Sequence, residues 1–284
     1  MKRRTYPRLL GAALGLAVAT AMVIPAGAAA ASATVLPPQS RPFGATYGQW
    51  DARWWQWLLQ TPVNINPEFS APGTPGSPAA VDCSAGQSGK VWFLGGTFAP
   101  TTPAGAPPAS NVYRTCSIPS GTFLFFPLLN DEFDNLTCHA DGSPASLGWS
   151  AAQLKNSAAT LIDDIVPGTM SATIDGASIS GLADAHSIYR APSPSFSYSL
   201  PSDNVGQFFA GPTGQPCNFP AGTQPPIPGA TADGIYLMLA PLSPGVHQIH
   251  FGGKVDYPGG DPVIGAAAFT FVQNINYTLT VQPG

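Results

Sequence analysis

The clearest hydrophobic pattern in the chain predicts a helix from Tyr47 to Gln60, which Pro62 ends. Its apolar side chains recur at intervals of three and four residues: Tyr47, Trp50, Trp54, Trp57 and Leu58. Trp55 and Leu59 lie off this stripe, so the helix is apolar over more than half of its circumference. Because such helices are usually buried, we expect the tryptophans to form core, with Trp55 the ring nearest the surface. The alternatives are that exposed tryptophan rings stack on sugar rings or anchor the protein at a lipid interface.

A second helix is predicted over Ser150 to Val166, where apolar residues again follow helical spacing and Pro167 ends the pattern. The rest of the chain carries short runs of period two, or continuous apolar runs bounded by turn residues, which predict strands. These are KVWFLGGTF with NVYRTC as a long-looped hairpin, TFLFFPLL as a strand buried on both faces, two short strands around Asp175-Gly176, SFSYSL, a hairpin of GIYLMLAPL with VHQIHFGGKV, and a last strand in AAFTFVQNINYTLTV.

Short strands separated by frequent turn signals predict a mainly β fold. We expect one antiparallel β-sandwich domain over residues 47–284, jelly-roll-like, with two peripheral α-helices. Residues 34–46 are Pro-rich and predict a loose lead-in to this domain.

The first 33 residues have the layout of a cleaved secretory signal peptide. Basic residues precede an apolar run from Leu9 to Ile24, and Ala31-Ser32-Ala33 offers a cleavage site. A membrane anchor is the alternative, but the run is shorter than the about 20 residues that span a bilayer. We therefore expect an exported protein, extracellular or attached to the cell envelope, with no membrane span in the mature chain.

Removal of this peptide leaves seven Lys and Arg against fifteen Asp and Glu, a formal net charge of −8. Such a chain repels nucleic acid phosphates, and no basic patch offsets the repulsion. We therefore expect no nucleic acid partner.

Four cysteines in an exported chain predict two disulfides. They are Cys83, Cys116, Cys138 and Cys217, and no C-x-x-C pair among them suggests zinc. Three connectivities are open, of which nearest-in-sequence pairing, Cys83 with Cys116 and Cys138 with Cys217, is our prediction.

Several segments together resemble a family of exported bacterial proteins that are usually labelled hypothetical or "signal" proteins. The segments are YGQWDARWWQW, GQSGKVWFLGGTF, CSIPSGTFLFFPLLN, ATIDG and LAPLSPGVHQIHFGG. The resemblance runs from Phe43 to Val281. It implies export and a shared β-rich fold, and it brings no activity or catalytic residue.

The most polar candidate site is the stretch LLNDEFDNLTCH, which directly follows the predicted buried strand. Asp131 or Glu132 could form an acid/base pair with His139, and oxygen ligands at alternate positions could hold Ca²⁺. The spacing matches no calcium loop, so we predict no metal or other cofactor. The competing interpretation is a solvated acidic turn.

Other candidate residues are spread along the chain. His247 and His250 point to opposite faces of a strand and therefore cannot bind one metal; His247 is expected in the core and His250 in a cleft. Trp55, Arg114 and Asn130 are candidate ligand-binding residues.

These features support three functions. The first is a non-enzymatic module that binds a surface or environmental polymer, most plausibly a glycan. The second is a secreted hydrolase that uses the Asp131–His139 region with His250 and Arg114, and the third is a structural envelope protein. No catalytic motif in the sequence selects among them.

Overall fold

The computed structural model describes residues 33–97, 111–209, 214–261 and 267–284. Within these ranges the protein is mainly β with two α-helices, as the sequence predicts. The predicted signal peptide, apart from Ala33, and the Pro-rich connection over residues 99–110 lie outside the described residues.

The two helices are α1, Tyr47–Gln60, and α2, Ala151–Asp163, both at the positions that hydrophobic spacing predicts. Each begins with a capping box. In α1 the Thr46 hydroxyl accepts the Gln49 N–H at 3.1 Å, while the Gln49 side chain accepts the Thr46 N–H at 2.9 Å. These reciprocal bonds satisfy amide groups that the first turn of a helix leaves without partners.

Eleven strands lie in the described residues. They are β1 (Ala79–Ala80), β2 (Val91–Phe93), β3 (Val112–Pro119), β4 (Phe123–Phe133), β5 (Leu136–Cys138), β6 (Pro144–Ser146), β7 (Ser171–Ile174), β8 (Ala177–Ser178), β9 (Thr231–Leu239), β10 (Gly245–Tyr257) and β11 (Phe269–Gln282). Short 3-10 helices occur at Pro38–Ser40, Pro42–Gly44, Pro67–Phe69 and Val205–Phe208.

The strands form a six-stranded sheet in the order β1-β3-β11-β10-β7-β8, a three-stranded sheet in the order β2-β4-β9, and a small β5-β6 pair. Most neighbours are antiparallel, but β1 with β3, β3 with β11, and β2 with β4 run parallel. The two large sheets are therefore mixed, a departure from a wholly antiparallel jelly roll.

The three-stranded sheet is the middle layer of the fold. One face of β4 and β9, with Phe126 and Leu237, packs on the six-stranded sheet and α2. The other face, with Phe125 and Tyr236, packs on α1. Burial on both sides explains why β9 is buried at all nine positions and why the apolar run of β4 shows no alternation.

Two predicted hairpins are wrong. β2 and β3 lie in different sheets, and so do β9 and β10. The turn residues Ser243-Pro244-Gly245 do reverse the chain, but they carry it from the middle layer to the six-stranded sheet. The segment SFSYSL forms no regular strand; its Phe196 makes an isolated bridge with Ala230.

The segment before α1 is not a loose lead-in. Val35 bridges Leu239, and the Leu36 N–H donates to the Met238 carbonyl at 2.8 Å, so the segment extends the middle layer beside β9. The Tyr47 hydroxyl, at the start of α1, donates to the Leu36 carbonyl at 2.5 Å.

The cysteines pair as Cys83–Cys116 and Cys138–Cys217, the nearest-in-sequence arrangement, and none is free. Two disulfides fit a protein of an oxidising compartment. Among the described residues, no helix combines the length and apolar character that crossing a bilayer requires.

Truncation of Trp54 tests the packing of α1. Trp54 is buried, and its indole N–H donates to the Leu94 carbonyl at 3.0 Å. We expect W54A to lower the free energy of unfolding by about 3–5 kcal/mol, because loss of the indole leaves a large cavity that the surrounding residues can fill only in part. Urea denaturation measures this loss. The half-buried Trp149 provides the matched control, W149A, for which we expect at most about half that loss. Equal losses in the two variants would contradict the assignment of Trp54 to the core.

Candidate functional site

The tryptophans of α1 are core residues, as expected, and Trp55 is one of them. It is 7 % exposed, as is Trp50, so it is buried, and the prediction that this ring lies at the surface is wrong. The ring packs edge-on against Trp54 with centroids 5.1 Å apart. A buried ring offers no face to a ligand, and the structure therefore gives Trp55 a packing role.

The outer side of α1 forms one wall of a groove with a volume of about 480 Å³, which we call the α1 groove. Its lining comes from α1, from the segment before α1, from the loop that leads into β2, and from β2 itself. The lining residues are Phe43, Trp50, Arg53, Gln56, Trp57, Gln60, Gly86, Ser88, Gly89, Lys90, Val91 and Phe93.

Helical spacing explains the polar wall of this groove. Arg53, Gln56 and Gln60 follow each other at intervals of three and four, so they form one stripe on the solvent side of α1. The Gln56 amide donates to the Ser197 carbonyl at 2.8 Å, and the Gln60 carbonyl oxygen accepts the Ser199 N–H at 3.2 Å. Both amides are thereby anchored to one neighbouring loop.

The opposite wall approaches α1 closely at Gly86. A Cβ atom on this residue would lie 2.1 Å from the Thr61 hydroxyl oxygen and 3.1 Å from the Trp57 ring. The backbone φ of Gly86 is +66°, a value that residues with a side chain rarely adopt. Glycine therefore lets the loop pass beside the helix.

Phe43 stands at the groove as an exposed aromatic ring. It is 51 % exposed, and its edge contacts Phe123 at a centroid distance of 4.9 Å and Trp50 at 6.2 Å. Phe43 and Arg41 both have positive φ, 56° and 48°, which is unusual for residues with large side chains. Strained backbone of this kind occurs preferentially where it positions a functional side chain.

The candidate acids occupy the end of β4, beyond a bulge between Pro127 and Leu129. From Asn130 onward, alternation turns Asn130 and Glu132 towards α1, whereas Asp131 faces the other way, opposite Asp233 of β9. Gly234 makes room for this arrangement, since a Cβ there would lie 2.6 Å from the Cβ of Asn130.

On the α1 side, three carboxyl groups come together with polar neighbours, a set that we call the carboxyl cluster. Its carboxyl groups belong to Asp51, Glu132 and Asp134; its polar neighbours are Asn130, Tyr198 and Tyr236. The Tyr236 hydroxyl donates to Asp51, and the Tyr198 hydroxyl donates to Asp134. Oδ2 of Asp51, Oε1 of Glu132 and Nδ2 of Asn130 are buried without a hydrogen-bond partner among the described residues.

Burial dominates the electrostatics of the cluster. It raises the pKa of Asp51, which is 0 % exposed, well above its usual range, although the Tyr236 hydroxyl partly offsets the effect. Burial and the charges of Asp134, Asp131 and Asp51 raise the pKa of Glu132 likewise. Burial also raises the pKa of Asp134 to about 6 and that of Asp131, on the opposite face, to about 7. Carboxyl groups with pKa values raised towards neutral can both release and take up protons in that range.

The neighbouring acid Asp233 is paired. Nη2 of Arg190 lies 2.8 Å from its Oδ2, and the same guanidinium contacts Asp163 at the end of α2. Arg190 therefore joins α2 to the middle sheet and neutralises the carboxylate opposite Asp131.

Arg114 is a structural residue, which contradicts its candidacy for ligand binding. Its side chain is 1 % exposed, and its guanidinium donates to the carbonyls of Gly95 and Gly96 at 2.9 and 2.7 Å and to the Tyr277 hydroxyl at 3.1 Å. It also donates to the Glu68 backbone carbonyl at 3.2 Å. Burial raises the pKa of the Glu68 carboxyl to about 7, although the charge of Arg114 acts to lower it. Its donors are used in holding the segment after β2 against β11.

The histidine candidates do not join the cluster. His139 is exposed and interacts electrostatically with Asp141, while Nε2 of His250 lies 3.4 Å from the Ser171 hydroxyl. His247 is buried, as expected, between Asp175 at 2.7 Å and the Ser243 carbonyl at 2.8 Å. Since both partners accept, both ring nitrogens donate, and these hydrogen bonds raise the pKa of His247 despite burial.

The structure thus brings Glu132 and Asn130 together with residues that sequence reasoning did not select, Asp51 and Tyr236 above all, and places Asp131 on the opposite face of β4. The sequence does contain a feature that could have identified Asp51: it is the one acid in a helix that is otherwise apolar on its inner side. Across the described residues, no group of three or more His, Cys, Asp or Glu side chains has the geometry of a metal site.

Comparisons of this chain with models of protein families, with curated proteins and with solved structures found no match.

The buried carboxyl groups predict that stability falls as the pH rises. Their folded-state pKa values lie above those of the unfolded chain, so their contribution is fully present below about pH 4 and is lost through about pH 6 for Asp134 and 7 for Asp131. We expect the Tm to be about 5 °C lower at about pH 8 than at about pH 5, and D131N to reduce this difference because the amide carries no charge.

Differential scanning calorimetry across this range measures the effect. D256N is the matched control, because hydrogen bonds from Lys254 and Thr270 lower the pKa of Asp256 and keep it ionised throughout. A Tm that rises between the two pH values, or a pH dependence unchanged in D131N, would contradict the prediction.

Proposed function

We propose that this protein is an exported, non-enzymatic carbohydrate-binding protein and that it binds a glycan chain in the α1 groove. The observation that carries the proposal is the composition of the groove: an exposed aromatic ring, a second half-buried ring at Phe93, and anchored amide side chains around about 480 Å³ of space. Ligand pockets combine apolar surface with a few positioned polar groups in this way.

The chemistry of a sugar ring matches this lining. One face of a pyranose carries C–H groups, which pack on an aromatic ring such as Phe43, while its hydroxyl groups need both donors and acceptors. The backbone contacts of Gln56 and Gln60 use one end of each amide, which leaves the Gln56 oxygen and the Gln60 nitrogen for a ligand.

The groove is also rigid, which favours binding. Its main wall is a capped helix whose inner face is packed with indole rings, and Phe43 is held by two edge contacts. Little conformational freedom is then lost when a ligand binds. The predicted signal peptide and the two disulfides support an extracellular or cell-envelope location, where glycans are abundant.

Replacement of Phe43 tests the proposal. We expect F43A to weaken binding to a polysaccharide by about tenfold, because it removes the exposed stacking surface without emptying the core. Affinity electrophoresis in gels containing soluble polysaccharides, together with pull-down on insoluble ones, measures the effect. The F269A variant lacks an exposed phenylalanine outside the groove and should bind the polysaccharide as tightly as the wild-type protein does. Loss of binding in both variants, or in neither, would contradict the assignment of the groove.

A second candidate function is hydrolysis of a glycosidic bond by the carboxyl cluster, and the unpaired Oε1 of Glu132 favours it. A protonated carboxyl would give its proton to the leaving oxygen, and an ionised carboxylate would take a proton from the attacking water. The cluster contains carboxyl groups for both roles. His139, His250 and Arg114 take no part in this candidate function, because their contacts with Asp141, the Ser171 hydroxyl and the Gly95 carbonyl lie outside the cluster.

Glycoside hydrolysis predicts a selective loss of activity. If the cluster is catalytic, E132Q should lower the release of reducing ends by about a hundredfold or more, while binding in the groove stays unchanged. D256N again serves as the control. This second function would be ruled out if the wild-type protein released no reducing ends from any polysaccharide that it binds.

A further inference from the structure

The charge of the α1 groove is opposite to that of the protein around it. Among its described lining residues are Arg53 and Lys90, and no Asp or Glu. After removal of the predicted signal peptide the chain carries seven Lys and Arg against fifteen Asp and Glu. Two of the seven cations therefore line one groove that contains no acid.

These two cations differ from most others in the mature chain. Arg190 is paired with Asp163 and Asp233, Lys254 is paired with Asp256, and Arg114 is enclosed in the core. Within the part of the chain that the structure describes, neither Arg53 nor Lys90 makes an ion pair, and both are exposed.

Arg53 is held in place although it has no ionic partner. Its guanidinium carbon lies 4.3 Å from the centroid of the Trp50 ring, and Trp50 is itself fixed by an indole N–H bond of 3.1 Å to the Pro42 carbonyl. A guanidinium that packs on an indole ring is held in place by that contact, and its N–H donors stay available to a carboxylate. Lys90, across the groove, supplies a second positive charge on a flexible side chain.

Resting on the proposed glycan-binding function, we propose that the α1 groove selects glycans that carry carboxylated sugar residues, with a uronate carboxylate bound by Arg53 and Lys90. Phe43 and the two glutamines would then contact the sugar ring, and the cations would contact its acid group. Charge-assisted hydrogen bonds from arginine to a carboxylate are among the stronger polar interactions and are geometrically specific.

The overall charge of the protein restricts the ligand further. A net charge of −8 repels a densely charged polyanion over its whole length, whereas a single carboxylate inside the groove lies within about 10 Å of the two cations, where their attraction prevails. The inferred ligand is thus a glycan with separated acidic sugars, and nucleic acid is excluded.

Pairs of polysaccharides that differ only in charge provide the test. Glucuronoxylan, hyaluronan, alginate and polygalacturonate are each compared with the same polymer after chemical reduction of its carboxylates to hydroxymethyl groups. We expect binding to acidic glucuronoxylan or hyaluronan, in which neutral sugars separate the uronates, and a loss of about tenfold or more on reduction, together with a clear weakening when NaCl rises from about 50 to about 500 mM. Alginate and polygalacturonate, in which every sugar is charged, should bind more weakly than these two.

Variants assign the effect to the groove. R53Q and K90Q should each weaken binding of the acidic form by about five- to tenfold and leave binding of the reduced form unchanged, whereas R53K, which keeps the charge, should lose less. K155Q is the matched control, because Lys155 is an exposed lysine on α2, lies outside the groove lining and makes no ion pair with any residue that the structure describes. The Tm of each variant is measured alongside its affinity, so that unfolding is not mistaken for lost affinity.

The outcomes separate the inference from the function on which it rests. If reduced and acidic polymers bind equally, or if R53Q and K90Q behave as K155Q does, the selection for acidic sugars is wrong and the glycan-binding function stands. If neither form of any polymer binds, both are wrong. Tighter binding of double-stranded DNA than of every polysaccharide would also overturn the inference.

Discussion

Burial of the inner face of α1 against β4 and β9 is the interaction on which the rest of this structure depends. Trp50, Trp54 and Trp57 not only remove large apolar surfaces from water but also place their indole N–H groups on backbone carbonyls of three separate segments, at Pro42, Leu94 and Ala85. A single helix therefore fixes loops that have few regular hydrogen bonds of their own. In a chain with 31 glycines and 32 prolines, such fixed points, together with the two disulfides, offset the entropy of long connections.

The same helix presents different chemistry on its two sides, because residues two positions apart on a helix face in nearly opposite directions. Asp51 points inward to Tyr236 and the carboxyl cluster, whereas Arg53 points outward to the groove. The inner polar group is enclosed, and burial raises its pKa. The outer one is exposed and lies on an indole ring. Both candidate sites therefore derive from one element, and a rigid helix is a suitable support for each.

The middle sheet explains why acids can lie so deep in the fold. β4 begins as a fully buried apolar strand and, after its bulge, continues with Asn130, Asp131 and Glu132 beside β9. Hydroxyl groups of Tyr198 and Tyr236 and the guanidinium of Arg190 satisfy part of this polar surface. In the carboxyl cluster, the carboxyl oxygens left without partners belong to Asp51 and Glu132, whose pKa values are raised well above their usual range, as expected when burial disfavours the charged form.

The sequence by itself determined the features that depend on local spacing. Both helices, the core role of the tryptophans, the doubly buried β4 and the β7–β8 hairpin follow from periodicity and turn residues between neighbours in the chain. The bounds of α1 match the prediction, whereas α2 ends at Asp163, before the predicted end at Val166. Only the tertiary structure decided which strands pair, since the turn after β9 reverses the chain equally well within a sheet or between two layers. It also decided that Arg114 is enclosed and that Asp51, Glu132 and Asp134 meet. Contacts between residues far apart in the chain depend on how the layers stack, and the spacing of residues within one segment carries no information about that stacking.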